Sequence, residues 1–190
     1  MHIVVICGTN REGALSRLLS QQLAGLYRDR GAEVDLIDMA ELPPEVLLGT
    51  AYKEPAPAIT ALVERFCAAD GVHFVVPEYN GGFPGILKLF IDMLPYPAGL
   101  DARPCAFVGL AAGQFKGLRP VEHLQQVIGY RNGHCFPRRL FIGDSFKTFD
   151  YETKRLSEAS LNERITQQVE QFLAYITALD AQPAKSIASA

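Results

Sequence analysis

Three short runs of almost purely apolar residues recur along this chain, and each leads through small or glycine-rich residues into a helical pattern. The runs are Ile3 to Cys7, Val72 to Val76 and Cys105 to Leu110. A strand that is apolar at consecutive positions, rather than at alternate ones, is typical of a parallel sheet covered on both faces. Two weaker candidates, Glu33 to Ile37 and Leu140 to Ile142, bring the predicted strands to five.

Helical patterns separate these strands. Gly31 predicts the end of a first helix, whose apolar stripe consists of Leu15, Leu18, Leu19, Leu23 and Leu26. Further helices are predicted at about 58–69, 84–94, 117–128 and 160–179. Because helices alternate with strands, the chain predicts an α/β fold, a doubly wound five-stranded parallel sheet in a three-layer αβα arrangement. The expected strand order is 2-1-3-4-5.

The chain is expected to form one domain over residues 1–180. Its length of 190 residues suffices to bury a full core without disulfides or metals. The segment 39–57 contains four prolines and predicts an irregular excursion between a strand and a helix. The last ten residues, 181–190, predict a disordered tail.

Composition argues against several classes of function. A net charge of −3 and a pI near 5.8 provide no electrostatic basis for nucleic acid binding. No segment approaches the roughly 20 apolar residues of a membrane span, and no signal peptide is recognisable, so a soluble cytoplasmic protein is expected. Cys7, Cys67, Cys105 and Cys135 lie far apart, which predicts buried thiols rather than a metal site. His73, inside the second apolar run, also lacks partners at metal-ligand spacing.

The first loop, residues 8–16, has the chemistry of an anion cradle. It reads Gly-Thr-Asn-Arg-Glu-Gly-Ala-Leu-Ser and enters a helix, whose free N–H groups favour phosphate. The Lys and Ser/Thr of a nucleoside triphosphate loop are replaced by Ala14 and Leu15, and no GxGxxG is present. A single phosphate therefore fits best, with hydroxyls from Thr9 and Ser16 and a fork from Arg11. The alternative is that Ser16 caps the helix and Arg11 is solvated.

The second loop, residues 77–84, has the chemistry of a planar-ring pocket. It reads Pro-Glu-Tyr-Asn-Gly-Gly-Phe-Pro, in which the glycines allow close approach of the backbone and the aromatic residues offer flat surface. A third loop, residues 112–117, opens another helix at the same edge of the sheet. Because ligands bind where the strand order reverses, the loops are expected to form one site.

These loops resemble those of the NADPH-dependent FMN reductase family, flavodoxin-like proteins that include flavin, quinone, azo-dye and chromate reductases. The segment GTNREGALSR is similar to the family's phosphate loop, and PEYNGGFPGILKLFID resembles its flavin-ring loop closely. In the third loop, Lys116 stands where the family usually has glycine. The resemblance implies FMN as cofactor. The cofactor-binding residues expected on this basis are Thr9, Arg11, Ala14, Leu15, Ser16, Pro77, Glu78, Tyr79, Asn80, Gly81 and Gly113.

The function expected from this resemblance is that of an oxidoreductase. Hydride from NADPH or NADH would pass through bound FMN to a small oxidised acceptor, such as a quinone, an azo compound, chromate or free flavin, by a ping-pong mechanism. No catalytic side chain is expected, because the cofactor carries the hydride chemistry. Three alternatives stay open: FMN is a substrate that leaves in reduced form, the chain is an electron carrier of the flavodoxin type, or it is a non-enzymatic sensor that binds another phosphate ligand.

A homodimer or a dimer of dimers is also expected. The helix after the second loop is apolar nearly all round, and its apolar residues are Ile86, Leu87, Leu89, Phe90, Ile91, Met93 and Leu94. A helix apolar on every side is normally covered on every side, so a second subunit is predicted on its outer face. Family resemblance implies dimers as well. Glu78 then either meets an Arg across the interface or stays solvated.

Overall fold

The computed structural model of the chain describes residues 1–181. In this part of the chain the strands are β1 (His2–Cys7), β2 (Glu33–Asp38), β3 (Gly71–Pro77), β4 (Pro104–Leu110), β5 (His134–Cys135), β6 (Leu140–Ile142), β7 (Phe149–Asp150) and β8 (Arg155–Leu156). The helices are α1 (Leu15–Arg28), α2 (Pro57–Cys67), α3 (Gly85–Met93), α4 (Leu118–Tyr130) and α5 (Ala159–Asp180). The predicted tail lies outside the described residues, apart from Ala181, which follows α5.

The main sheet is parallel and has the order β2-β1-β3-β4-β5, with β6 also paired to β4. The doubly wound, flavodoxin-like fold with strand order 2-1-3-4-5 is therefore confirmed. Helices α1 and α5 cover one face of the sheet, whereas α2, α3 and α4 cover the other. Each face buries its own apolar cluster, and β1, β3 and β4 are buried throughout apart from His2. Strands with two covered faces explain why their sequences lack polar alternation.

The fifth position of the sheet differs from the prediction of one strand at 140–142. Two short strands share it, since β5 pairs with the start of β4 and β6 pairs with its end. The segment between them includes Pro137, which lacks a backbone donor. Gln168 of α5 compensates for the break, because its Nε2 donates to the carbonyls of Phe107 at 3.0 Å and Arg138 at 2.8 Å.

The buried His73 is a core residue. It lies on β3 with no exposed surface, and its Nδ1 is 2.8 Å from the hydroxyl of Tyr27. The rings of Tyr27 and Phe172 pack edge-on against it. Burial lowers the pKa of His73 to about 3, so the imidazole is neutral.

The outer face of α3 is covered differently from the prediction. The excursion after β2 forms three short 3₁₀ helices, Met39–Glu41, Pro44–Leu47 and Gly49–Tyr52. Its residues Val46 and Ala51, with Ile59 of α2, pack against the outer residues of α3, which are Ile86, Leu89 and Met93. Phe90 faces inward with no exposed surface. A second subunit, predicted on the outer face of α3, is therefore not needed to bury most of that face, because this chain covers it itself.

The chain after β6 also contains an element that was not predicted, the two-stranded antiparallel pair of β7 and β8. Within residues 1–181, no helix combines the length and apolar character needed to cross a membrane.

Candidate functional site

Four loops meet at the carboxyl edge of the sheet, beside the point where the strand order reverses. The chain places β2 on one side of β1 and β3 on the other, so the reversal falls between β1 and β3. In doubly wound sheets this is the position at which ligands bind. A cleft of about 220 Å³ opens there. Its lining consists of Arg11, Gly13, Ala14, Leu15, Ser16, Pro77, Glu78, Tyr79, Leu110, Ala111, Ala112, Ser145 and Phe146.

The first loop brings a helix start and a cation to this cleft. A Cβ on Gly8 would lie 2.7 Å from the carbonyl oxygen of Val75, so only glycine fits where the loop leaves β1. Helix α1 begins at Leu15, and its N-cap Ala14 offers no side-chain acceptor to the first turn. Arg11 is exposed and forms no ion pair within residues 1–181. An uncapped helix start beside an unpaired guanidinium favours an anion.

Thr9 does not line the cleft. It has no exposed surface, and its Oγ1 lies 2.8 Å from the hydroxyl of Tyr79. The same Oγ1 accepts a hydrogen bond from the backbone N–H of Arg11 at 3.2 Å. The prediction that Thr9 donates directly to a phosphate does not fit this geometry, because its hydroxyl is buried behind the loop and already bonded.

Ser16 lines the cleft as predicted, although it is nearly buried. Since the N-cap is Ala14, the alternative in which Ser16 caps the helix is wrong. The thiol of Cys7 lies 3.9 Å from Ser16 Oγ as a weak donor. Burial above all, and the nearby charge of Asp38, raise the pKa of Cys7, so the thiol stays protonated. Within the described residues the hydroxyl of Ser16 donates to no acceptor, so its hydrogen is available to a ligand.

The second loop, residues 77–84, is called the ring loop below. It is a tight turn whose base lines the cleft. Tyr79 and Gly82 exchange two backbone hydrogen bonds of 2.9 and 3.0 Å. Between them Asn80 has φ 51° and Gly81 has φ 79°, the left-handed pair typical of a type I′ turn. Pro77, Glu78 and Tyr79 line the cleft, whereas Asn80 and Gly81 form the tip of the turn outside it. Direct contact of these two residues with a ligand stays a prediction.

Glu78 contributes an unsatisfied acceptor. Its Oε2 is buried and has no hydrogen-bond partner within the described residues. The expectation of a solvated carboxylate does not fit this oxygen. A buried acceptor left without a donor costs about 1–3 kcal/mol, so a donor from a ligand or a second chain is favoured at this position.

At the third loop, the cleft is lined by Ala112 and by Ala111, which precedes the loop. Gly113 is exposed and does not line the cleft. Lys116 has φ 54°, a left-handed conformation that glycine adopts without strain. Its aliphatic stem lies against Gly143, where a Cβ would approach Lys116 Cγ to 2.6 Å.

Sequence reasoning missed the fourth loop, which follows β6. Ser145 and Phe146 of this loop line the cleft, and Ser145 donates its backbone N–H to Ala111 at 3.2 Å. The available signal was the Gly143-Asp144-Ser145 segment after the last predicted strand, since that strand ends at the same edge of the sheet.

Helix α4 lies beside the second loop, outside the cleft. The guanidinium of Arg119 stacks over Phe115 at 4.2 Å, and its Nη1 lies 3.9 Å from the position a Cβ on Gly81 would occupy. His123 lies equally near the corresponding position at Gly82. His123 was also missed, because its approach to the turn depends on the packing of α4.

The fold and cleft define a flavodoxin-like protein whose ligand combines an anionic group with a planar ring. FMN fits this arrangement, because the uncapped helix start and Arg11 suit its single phosphate, and the unsatisfied Glu78 oxygen suits a ring donor.

The sequence model of the NADPH-dependent FMN reductases matches residues 1–147, so the chain belongs to that family. An NAD(P)H-dependent FMN reductase of Pseudomonas aeruginosa is 27% identical over 186 residues, which cover 93% of this chain and 96% of that protein. An FMN-dependent NADPH-azoreductase of Staphylococcus saprophyticus is 25% identical over 181 residues, covering 91% and 94% respectively.

Among solved structures, the flavoenzyme NAD(P)H:acceptor oxidoreductase FerB of Paracoccus denitrificans superposes with a TM-score of 0.77. The two chains are 19% identical, and the match covers 93% of this chain and 97% of FerB. This similarity confirms the fold. Membership in the family makes the chain an NAD(P)H-dependent oxidoreductase with FMN as its cofactor.

Proposed function

We propose that residues 1–180 act as a single cytoplasmic domain that passes hydride from NADPH or NADH, through bound FMN, to a small oxidised acceptor by a ping-pong mechanism. A quinone, an azo compound, chromate or a free flavin are the acceptor classes considered. The observation that carries the proposal is that the first loop, which favours an anion, and the ring loop line one cleft where the strand order reverses. The four cysteines are free, which suits a reducing compartment.

In this proposal the first loop holds the phosphate. Arg11 supplies a charge-assisted fork, Ser16 donates its hydroxyl, and the N-terminal turn of α1 supplies N–H groups. Pro77, Glu78 and Tyr79 line the ring pocket, and the buried Glu78 oxygen accepts a hydrogen bond from the cofactor.

Bound FMN supplies hydride acceptance and donation, and the protein supplies position and shielding from water. Around the cleft, Tyr79 and Phe146 provide the aromatic surface. We propose that donor and acceptor occupy the same place in succession, which is the basis of the ping-pong mechanism.

The test begins with the absorption spectrum of the purified protein and an anaerobic titration with NADPH and NADH. Bleaching of a bound flavin by either nucleotide is the expected result. Two-substrate kinetics with a quinone, an azo dye, chromate and free flavin then give parallel double-reciprocal lines. Intersecting lines would contradict the shared position.

The same experiments separate the alternatives. Gel filtration after anaerobic reduction shows whether flavin leaves the protein, which is expected if FMN is an exchangeable substrate. Reduction of bound flavin by a chemical reductant, without any oxidation of NADPH or NADH, would instead favour an electron carrier.

We also propose a homodimer or a dimer of dimers. The support is the outer surface of the excursion, where Leu47, Leu48 and Tyr52 are 71%, 55% and 58% exposed. Exposed apolar side chains grouped in this way are typical of interfaces. Leu47→Asp is expected to lower the mass in sedimentation equilibrium, whereas Glu45→Lys on the same excursion serves as the control. A monomeric wild-type protein at micromolar concentration would contradict this part of the proposal.

A further inference from the structure

A partly buried side-chain contact joins the first and second loops of the cleft. Tyr79 belongs to the ring loop and lines the cleft, yet its hydroxyl lies 2.8 Å from Oγ1 of Thr9, 70 residues away in sequence. Thr9 has no exposed surface. The contact is partly buried, so solvent competes for it less than it does at the open surface of the cleft.

Thr9 also holds the backbone of the first loop. Its Oγ1 accepts a hydrogen bond from the N–H of Arg11 at 3.2 Å, and the backbone carbonyl of Thr9 lies 3.7 Å from the thiol of Cys7. Arg11 itself lines the cleft. A chain of contacts thus runs from the Tyr79 hydroxyl, through Thr9, to the backbone that presents Arg11.

We propose that Tyr79 is a positioning residue for phosphate recognition, in addition to lining the ring pocket. By fixing the Thr9 hydroxyl, it orients the loop that carries Arg11, so the affinity for the phosphate depends on a side chain of the opposite loop. This inference rests on the proposed role of residues 8–16 in holding the FMN phosphate. It assigns to Thr9 a function that requires no contact with the ligand.

A role confined to the ring makes a different prediction. If Tyr79 contacts only the ring, changes at this residue alter the binding of FMN and riboflavin by the same factor, since both ligands carry that ring. If Tyr79 positions the phosphate loop, the loss falls on FMN alone. The ratio of the dissociation constant for riboflavin to that for FMN therefore separates the two roles.

The decisive variant is Tyr79→Phe, which keeps the aromatic ring and removes the hydroxyl. Dissociation constants are measured for both ligands by quenching of flavin fluorescence on flavin-depleted protein. We expect the constant for FMN to rise about fivefold, the effect of one neutral hydrogen bond, and that for riboflavin to stay within about twofold. Equal changes for both ligands, or no change for either, would overturn the inference.

Changes at Thr9 provide the matched control. Thr9→Ser keeps the hydroxyl and is expected to retain the wild-type ratio. Thr9→Val removes it and is expected to reduce the ratio further than Tyr79→Phe, because the N–H of Arg11 also loses its acceptor. The double variant should then resemble Thr9→Val alone, since the two residues act through one contact. Independent, additive losses would count against the coupling.

Failure of this inference is distinguishable from failure of the proposed site. Wild-type protein that binds FMN and riboflavin equally would show that the first loop holds no phosphate. A wild-type preference for FMN that survives intact in Tyr79→Phe would remove only the positioning role. Far-ultraviolet circular dichroism and thermal unfolding establish that each variant is folded, and Tyr79→Phe alone decides the question if Thr9→Val does not fold.

Discussion

The two loops that form most of the cleft are held in place by different means. The first loop, residues 8–16, depends on side chains behind it, chiefly the hydroxyl of Thr9 and the thiol of Cys7. The ring loop depends on its backbone, since Asn80 and Gly81 are both left-handed between two backbone hydrogen bonds. Substitution of the exposed Arg11 in the first loop should therefore leave the fold intact. Substitution at Asn80 or Gly81, the tip of the ring loop, should destabilise it.

The largest effect is expected at the first loop. Arg11→Ala should weaken FMN binding by roughly 1.5–3 kcal/mol, the value of a hydrogen bond to a charged group. The free energy of unfolding of the flavin-free variant should equal that of the wild-type protein, because Arg11 is exposed and has no ion pair in the described chain.

Fluorescence titration with FMN and urea unfolding measure these two quantities. Arg164→Ala, at another exposed arginine without an ion pair in residues 1–181, is the control for a general loss of positive charge. Unaltered FMN affinity in Arg11→Ala would exclude Arg11 from the site.

In the ring loop, by contrast, a substitution should reduce the stability of the fold as well as flavin binding. Gly81→Val is expected to lower the free energy of unfolding by about 1–2 kcal/mol, the cost of a left-handed backbone at a residue other than glycine, and to lose flavin. The added Cβ itself meets no protein atom nearer than Arg119 Nη1 at 3.9 Å, so the loss is attributed mainly to the backbone conformation.

Gly81→Asn is the matched control, since Asn tolerates the left-handed region better than other residues. It should retain more stability and more flavin than Gly81→Val. Equal behaviour of the two variants in urea unfolding and in the flavin spectrum would show that backbone conformation does not govern this loop.

The smallest effect is expected at Lys116, in the third loop. Lys116→Gly removes the strain of a left-handed backbone at lysine but increases the conformational entropy that the chain loses on folding. The two effects oppose each other, so the free energy of unfolding should change by less than about 0.5 kcal/mol. Loss of the lysine stem against Gly143 loosens the loop that carries Ser145 and Phe146. Flavin release measured by stopped-flow should be about twofold faster.

Lys116→Asn separates the two effects, because it suits the left-handed backbone and lacks the long stem. Flavin release as fast as in Lys116→Gly would assign the effect to the stem. Release at the wild-type rate in both variants would show that the third loop does not influence the fourth.

The sequence predicted those features that depend on local patterns. The consecutive apolar residues of β1, β3 and β4 indicated strands covered on both faces, and Gly31, at φ 78°, ends the first helix region as expected. Arg11 and Ser16 were placed at a helix start by their positions alone. Each of these features is decided within about ten residues of chain.

Other features depend on residues distant in sequence, and no local pattern contains them. The bonds that bridge the break between β5 and β6 come from Gln168, 30 residues beyond Arg138. The burial of Thr9 depends on Tyr79, and the outer face of α3 is covered by the excursion after β2. Ser145 and Phe146 reach the cleft only because β6 lies beside β4.

The split strand at the fifth position also affects how copies of this chain can meet. A long, straight edge strand offers a row of unpaired backbone groups that can template pairing with another sheet, which leads to aggregation. Here that edge consists of two and three residues separated by Pro137, so no continuous row is presented. The opposite edge, β2, carries Glu33, Asp35 and Asp38. Charged side chains at one edge, where Asp35 pairs with Arg65 and Asp38 with Arg17, and interruption at the other disfavour joining sheet to sheet. They leave the helical layers and loops as the surfaces through which copies can meet.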